Sequence, residues 1–356
     1  MIKKQNITYT DFEQEAIVNT RMRLISKLLL YREASRKQLA EELEVSVPTV
    51  TNHTQDLLNH GYLAATTIPV AGVKRPVQLL SLASGEVLCA AVELSSMGVG
   101  VELSALDGEL REARYFKAGA QQREILTALR QAADFLRNFN ELESAVIGVD
   151  GLVGPDRKVV FSIRGLEDWD ACSPAVLAGL DRVLPHYIMN STIMAKARGL
   201  VNLIRKDRHV GIFERRGNDF HIGAVYNECI NLGHLGTSGS YVHVETAGGA
   251  PCYCGLEHCF YAAIRSGRCD ADLLAEGIGK MIESTALEFF GLDFDSEPLA
   301  RDTNRILEQS GRKGVVISDG TGLCRQGLRM MAAESAWRCI LKQFFQTHTK
   351  DHRYAN

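Results

Sequence analysis

Apolar positions first recur at helical spacing in residues 21–31 (RMRLISKLLLY), where Met22, Ile25, Leu28 and Leu29 form one face of a predicted helix. Ser35 stands three positions before Gln38 as an N-cap signature, and Leu39 and Leu43 carry an apolar face through a second, short helix. After a tight turn at Glu44 and Val45, Ser46 caps a third helix. Pro48 lies in its first turn, where a missing N–H costs little, and Val50, Leu57 and Leu58 supply its buried side. This succession fits a helix-turn-helix, whose last helix enters the major groove. Ser46, Thr49, Thr51, Asn52 and His53 are then the groove candidates. Residues 62–82 give two strand-like runs around a turn holding Gly72, Lys74 and Arg75, the plan of a wing whose tip touches phosphates. A three-helix unit capped by a hairpin with no role on DNA has the same pattern; the basic tip favours the wing.

At residue 83 the texture changes to two successive strand runs with a turn at Asp107 and Gly108. A helix is predicted over 122–139, and then SAVIGVDGLVG reads as a buried strand feeding a glycine loop. Strands near 209–214 and 220–227 and helices near 271–290 and 325–346 imply another α/β lobe. The expected organisation is residues 1–82, 83–190 and 191–356, with no internal repeat and no low-complexity linker.

Composition adds bounds more than direction. The 356 residues are 46% hydrophobic and 23% charged, and no apolar run is long enough to span a bilayer. The opening MIKKQNITYTDFEQ has no apolar stretch behind its lysines, so a cytoplasmic, reducing location is expected. The net charge of −3 argues against a generally basic surface, although residues 1–80 carry ten Lys and Arg against eight Asp and Glu.

Three of the nine cysteines fall together in PCYCGLEHC, at Cys252, Cys254 and Cys259. Thiolates this close in a reducing compartment point to zinc, which takes four S or N ligands in a tetrahedron, and Gly255 permits the sharp turn between two of them. His234, His243 and His258 are near enough to supply the fourth, and His243, ending the strand-like YVHVE, is the choice. A closed Cys3His set leaves no position for water and would be structural. Metal-free cysteines or a redox pair are the alternatives. Cys89, Cys172 and Cys339 sit in apolar runs and read as core.

His243 followed by Cys252-Tyr-Cys254-Gly255-Leu-Glu-His258-Cys259-Phe-Tyr261 resembles the signature of the ROK family of repressors and sugar kinases, a His and then Cys-x-Cys-Gly-x-x-Gly-Cys-x-Glu. The ligands match; the second Gly and the Glu do not. The resemblance extends from about residue 20 to the end and implies an α/β, actin-like (ribonuclease H-like) sugar-kinase fold of two lobes behind the winged helix-turn-helix that the family's repressors carry.

Carried over residue by residue, the family's Asp-x-Gly-x-Thr phosphate loop falls on Glu93, Leu94, Ser95, Ser96 and Met97. Its Asn-Asp pair falls on Asn190 and Ser191, its sugar-holding Glu on Ser240 and the Glu after the cysteines on Tyr261. A serine cannot take a sugar hydroxyl proton at neutral pH, and the altered loop approaches phosphate poorly, so neither ATP binding nor kinase activity is expected. Asn190, His243 and the loop around Gly151 remain for a small polar effector, a carbohydrate or a derivative. The resemblance implies a homodimer or higher oligomer on a double-stranded operator, switched by lobe closure. Two rivals stand beside it: a body that serves only as a dimer or protein-docking scaffold, and a kinase with a DNA-binding extension.

Overall fold

The computed structural model describes residues 9–69, 76–83, 85–119, 121–153, 160–163, 173, 175, 178–184, 186–204, 209–226, 229–230, 242–317 and 320–351. Its first helices are α1 (Tyr9–Tyr31), α2 (Arg36–Leu43) and α3 (Val47–Asn59). Both expected caps form: Ser35 Oγ accepts the Gln38 N–H at 3.1 Å and Ser46 Oγ that of Thr49 at 3.2 Å, satisfying donors that a helix start leaves unpaired. Between the two helices Glu44 turns the chain in the left-handed region, at φ 55°. Ile25, Leu28, Leu39, Val50 and Leu57 close the core of this unit, while Leu58 is only partly buried. β1 (Glu33–Ser35), β2 (Leu63–Ile68) and β3 (Val77–Leu82) make an antiparallel sheet in the order β1-β3-β2. The turn holding Gly72, Lys74 and Arg75 lies outside the described residues.

Two five-stranded sheets follow, built on one plan. The first contains β4 (Leu88–Ser95), β5 (Gly98–Ala105), β6 (Leu110–Lys117), β7 (Leu142–Val149) and β10 (Tyr187–Ser191), in the order β10-β7-β4-β5-β6. A small hairpin of β8 (Gly151–Val153) and β9 (Val160–Ile163) stands after β7. The second sheet contains β11 (Val210–Arg216), β12 (Asp219–Tyr226), β13 (Cys229–Ile230), β15 (Phe289–Phe294) and β16 (Gly314–Ile317), in the order β13-β12-β11-β15-β16. Each begins as a three-strand antiparallel meander and then adds two parallel strands on the far side of its first strand. The duplication lies in topology, where the sequence shows no repeat. β14 (Glu245–Ala250) stands apart from both sheets.

Parallel strands require crossovers, and helices supply them. α4 (Gln122–Leu136) precedes β7 and packs Ile125, Leu129 and Leu136 on one face of the first sheet. α6 (Phe260–Arg265) and α7 (Ala271–Thr285) precede β15, and α8 (Glu297–Gln309) precedes β16. The helix expected over 271–290 stops earlier, because FFGLDF is a buried parallel strand whose largely apolar run has no period to separate it from a helix.

Two helices exchange sheets. α5 (Thr192–Ile204) leaves the first sheet and packs under Ile212 and Val225 of the second, whereas α9 (Thr321–Asp351) leaves the second and returns beneath Ala91 and Val146 of the first. The two cross with their backbones in contact: a Cβ on Gly327 would stand 1.8 Å from the Ala195 carbonyl oxygen, and one on Gly199 2.1 Å from that of Leu323. Farther along α9, Trp337 is fully buried in a core that also holds Leu28, Leu57 and Leu80 of the amino-terminal unit and Cys89 and Val146 of the first sheet. The winged-helix unit is fused to the body through this shared core. Among the described residues no helix is long and apolar enough to cross a membrane.

Candidate nucleic-acid interface and metal centre

The N-terminus of α3 is exposed at Ser46, Val47, Pro48 and Asn52 and half-buried at Thr49, Thr51 and His53. The polar groups there differ in how far they are already engaged. Ser46 Oγ caps the helix and lies 2.8 Å from Thr49 Oγ1, and Thr51 Oγ1 donates to the Val47 carbonyl at 2.9 Å. Asn52 makes no side-chain hydrogen bond among the described residues and has both amide groups available for a base edge. Burial, then the nearby Arg21 charge, holds the His53 pKa below its ordinary value, so His53 is neutral at pH 7. Sequence reasoning passed over Arg36, the first residue of α2, whose guanidinium bonds Thr54 Oγ1 at 3.3 Å and also Gln78, tying α2 to α3 and to the wing strand β3.

The cysteine loop is shaped by its backbone. Gly255 adopts φ 94°, its N–H donates to the Cys252 carbonyl at 3.0 Å, and the Cys252 N–H donates to Leu256 at 3.0 Å. Thr246 N–H to the His258 carbonyl (2.8 Å) and Phe260 N–H to that of Val244 (2.9 Å) lay the loop on β14 and set Cys259 at the start of α6. His243 Nδ1 then stands 3.5 Å from Cys252 Sγ and 3.4 Å from Cys259 Sγ, and one ligand atom from each of His243, Cys252, Cys254 and Cys259 lies within 4.8 Å of all the others. A tetrahedral zinc with bonds of about 2.3 Å to sulfur and about 2.0–2.1 Å to nitrogen has S···N edges of about 3.5 Å. The donor set and its spacing therefore fit the ion.

His243 Nε2 lies 3.1 Å from the Tyr253 hydroxyl, which fixes the ring with Nδ1 toward the sulfurs, and the Tyr261 ring packs 4.9 Å away. Burial pushes the Cys259 thiol up to about 11. At Cys252 burial acts in the same sense, but hydrogen bonds from Cys254 outweigh it and the pKa falls. His258 is not part of the cluster, and His234 lies outside the described residues.

The expected effector residues are less well assembled. Asn190 is buried on β10 beside Gly148 of β7, but its Oδ1 accepts its neighbour Ser191 N–H at 2.9 Å. Gly151 begins β8, and no hydrogen bond joins it to Asn190 or His243 among the described residues. Ser240 lies outside them.

In the second lobe the structure assembles a group that the sequence reading missed. Lys196 Nζ, on α5, contacts Glu214 Oε1 at 2.6 Å and Asp293 Oδ2 at 2.8 Å, and Arg216 Nη2 contacts Asp293 Oδ1 at 2.7 Å. Lys196, Glu214 and Asp293 are buried, at the carboxyl ends of the parallel strands β11 and β15, where open α/β sheets ordinarily hold ligands. A Cβ on Gly320, just before α9, would stand 1.9 Å from Asp293 Oδ2, so the chain itself closes over the cluster. The available signal was a charge within an otherwise apolar run: Lys196 in TIMAKA, Asp293 in FFGLDF.

No protein-family model matches the sequence, and neither does any curated protein. The fold does have relatives. A solved structure described as a ROK family transcriptional regulator, homologue of the E. coli MLC protein, is 16% identical, covers 92% of this chain and 99% of its own, and superposes with a TM-score of 0.64. A ROK hexokinase from Thermus thermophilus is 14% identical over 71% of this chain and 99% of its own, with a TM-score of 0.53. A ROK glucokinase from Streptomyces griseus, in complex with glucose and AMPPNP, is 14% identical over 69% and 99%, with a TM-score of 0.51. The chain has the fold shared by ROK regulators and ROK sugar kinases, and the regulator matches it over the greater length.

Proposed function

We propose that this chain is a ROK-family transcriptional repressor, dimeric on double-stranded DNA, whose kinase-like body transfers no phosphate. The observation that carries the reading is the capped, exposed start of α3, fused through the Trp337 core to a body that resembles a regulator over 92% of the chain. Ser46, Thr49, Thr51, Asn52 and His53 face the major groove, with Lys74 and Arg75 of the wing on adjacent phosphates. The Lys196–Glu214–Asp293–Arg216 cluster supports the absence of a nucleotide, since its charges are engaged with one another and the backbone at Gly320 closes over Asp293. Residues 1–82 act as the reader, and 83–190 and 191–356 supply the two lobes, with α9 of the last segment packed on the first.

His243, Cys252, Cys254 and Cys259 would hold a zinc ion, which would supply a structural crosslink and no reactive position. These residues tie β14 to the start of α6. In Cys254→Ser, metal analysis should show one zinc fewer per chain than in the wild type; equal metal content in the two proteins ends the assignment.

The DNA reading is tested by selecting bound fragments from genomic DNA with the full chain. Two-fold symmetric fragments should be enriched, and Asn52→Ala should lose about 1–3 kcal/mol at one base position per half-site while leaving the fold intact. Enrichment of no sequence would remove the repressor reading. A second reading, a body that docks protein and takes no small effector, is favoured by the hydrogen bond that Asn190 Oδ1 accepts from the neighbouring Ser191 N–H. A panel of sugars and sugar derivatives separates the two, because a ligand of the folded state raises Tm with its concentration.

A further inference from the structure

A second group of metal-ligating side chains, separate from the cysteine loop, lies at the opposite end of the first sheet from Asn190. Glu143 is the second residue of β7, His186 immediately precedes β10, and Cys339 is on α9. One ligand atom from each lies within 4.8 Å of the other two.

Three elements well separated in sequence thus converge a carboxylate, an imidazole and a thiol. Their backbones are held independently of any ligand: Ala145 N–H donates to the His186 carbonyl at 2.9 Å, joining β7 to the approach of β10, and Cys339 sits within a continuous helix. Glu143 also accepts from Gln343 Nε2, one turn farther along α9, at 3.4 Å. The group is accessible from solvent, with His186 exposed and Glu143 and Cys339 half-buried, so a cation can reach it.

We propose that Glu143, His186 and Cys339 form a second cation site, for a borderline-soft divalent ion such as Zn2+ or Co2+. The thiolate and imidazole select against Mg2+ and Ca2+, which prefer oxygen ligands alone. Three protein ligands leave one tetrahedral position to water, so the ion here is exchangeable, unlike one closed in by His243 and the three cysteines. Its location gives it a consequence. Arg338, beside Cys339, reaches Asn19 of α1 at 3.4 Å, and Trp337, two residues before Cys339, bonds the Leu106 carbonyl at 2.9 Å and packs edge-on against Tyr62 of the winged-helix unit. A cation bridging Cys339 to the starts of β7 and β10 pins the turn of α9 on which that unit rests.

The test uses the full-length chain carrying one equivalent of zinc, titrated with Co2+ and followed by the sulfur-to-cobalt charge-transfer absorption in the near ultraviolet. The wild type should develop this band up to one further equivalent, and Cys339→Ser should not. His186→Ala, which removes an exposed side chain and so spares the fold, should weaken binding at least about tenfold, as loss of even an outer partner of a metal ligand does. No band in the wild type, a band that survives in Cys339→Ser, or one indifferent to His186→Ala would overturn the site. The outcome is independent of whether the chain binds DNA.

Discussion

Lys196→Ala is expected to lower the free energy of unfolding by about 3–5 kcal/mol, the usual cost of removing one partner from a buried ion pair. The change leaves Glu214 and Asp293, both buried, without the ammonium they share at the core of the second lobe. Urea denaturation at pH 7 measures it, and a loss under about 1 kcal/mol would show that water reaches the cluster. The pH dependence has a definite sign. Burial pulls the Lys196 pKa down, but the charges of Glu214 and Asp293 and their hydrogen bonds outweigh it, and the net shift is upward. A group whose pKa is raised on folding contributes its full stability below its unfolded value, about 10.4 for lysine, and loses it as pH climbs through the folded value. Wild type and Lys196→Ala should therefore differ fully at neutral pH and converge only in strong alkali.

Trp337→Ala should cost a similar amount, about 3–5 kcal/mol, through a cavity that surrounding groups only partly fill. Its consequence is regional. Trp337 packs against Tyr62 with ring centroids 5.6 Å apart and donates to the Leu106 carbonyl, so its loss opens the joint between reader and body. Thermal unfolding followed by hydrogen exchange should show residues 18–82 losing protection before either five-stranded sheet. Trp337→Phe, which keeps most of the volume and forfeits the indole N–H, should cost about 1 kcal/mol from the hydrogen bond. Simultaneous loss of protection in all three sheets would mean that the core is not a joint.

The parts that could be read from sequence are those whose cause is local. Ser35 and Ser46 announce helix starts because each cap spans three residues, and both form as expected. The cysteine loop was legible because three of its ligands fall within PCYCGLEHC, and the choice of His243 over His258 agrees with the distances. The Lys196 cluster was not legible, since it joins residues from α5, β11 and β15 whose proximity depends on the sheet order. Topology repeats without sequence repeating because sheet order is set by which strands pair, and many apolar sequences satisfy the same pairing. Asn190 shows the limit of reading a role from position. It is the residue that the resemblance matches to the family's Asn-Asp pair, yet its Oδ1 accepts a hydrogen bond from the next backbone N–H, a contact no spacing reveals.

The glycine crossing of α5 and α9 determines what kind of motion the two lobes can have. Sliding either helix along its axis by a turn would bring a same-face neighbour with a side chain to the contact, Ala195 or Leu203 on α5 and Leu323 or Met331 on α9, where the backbones leave no room for one. Rotation about the crossing keeps the glycines in contact and works instead against the Arg198–Glu334 ion pair that joins the two helices farther along. The contact works as a pivot, and because α9 also carries Trp337, turning one lobe about it swings the reading head through an angle without changing its distance from the crossing.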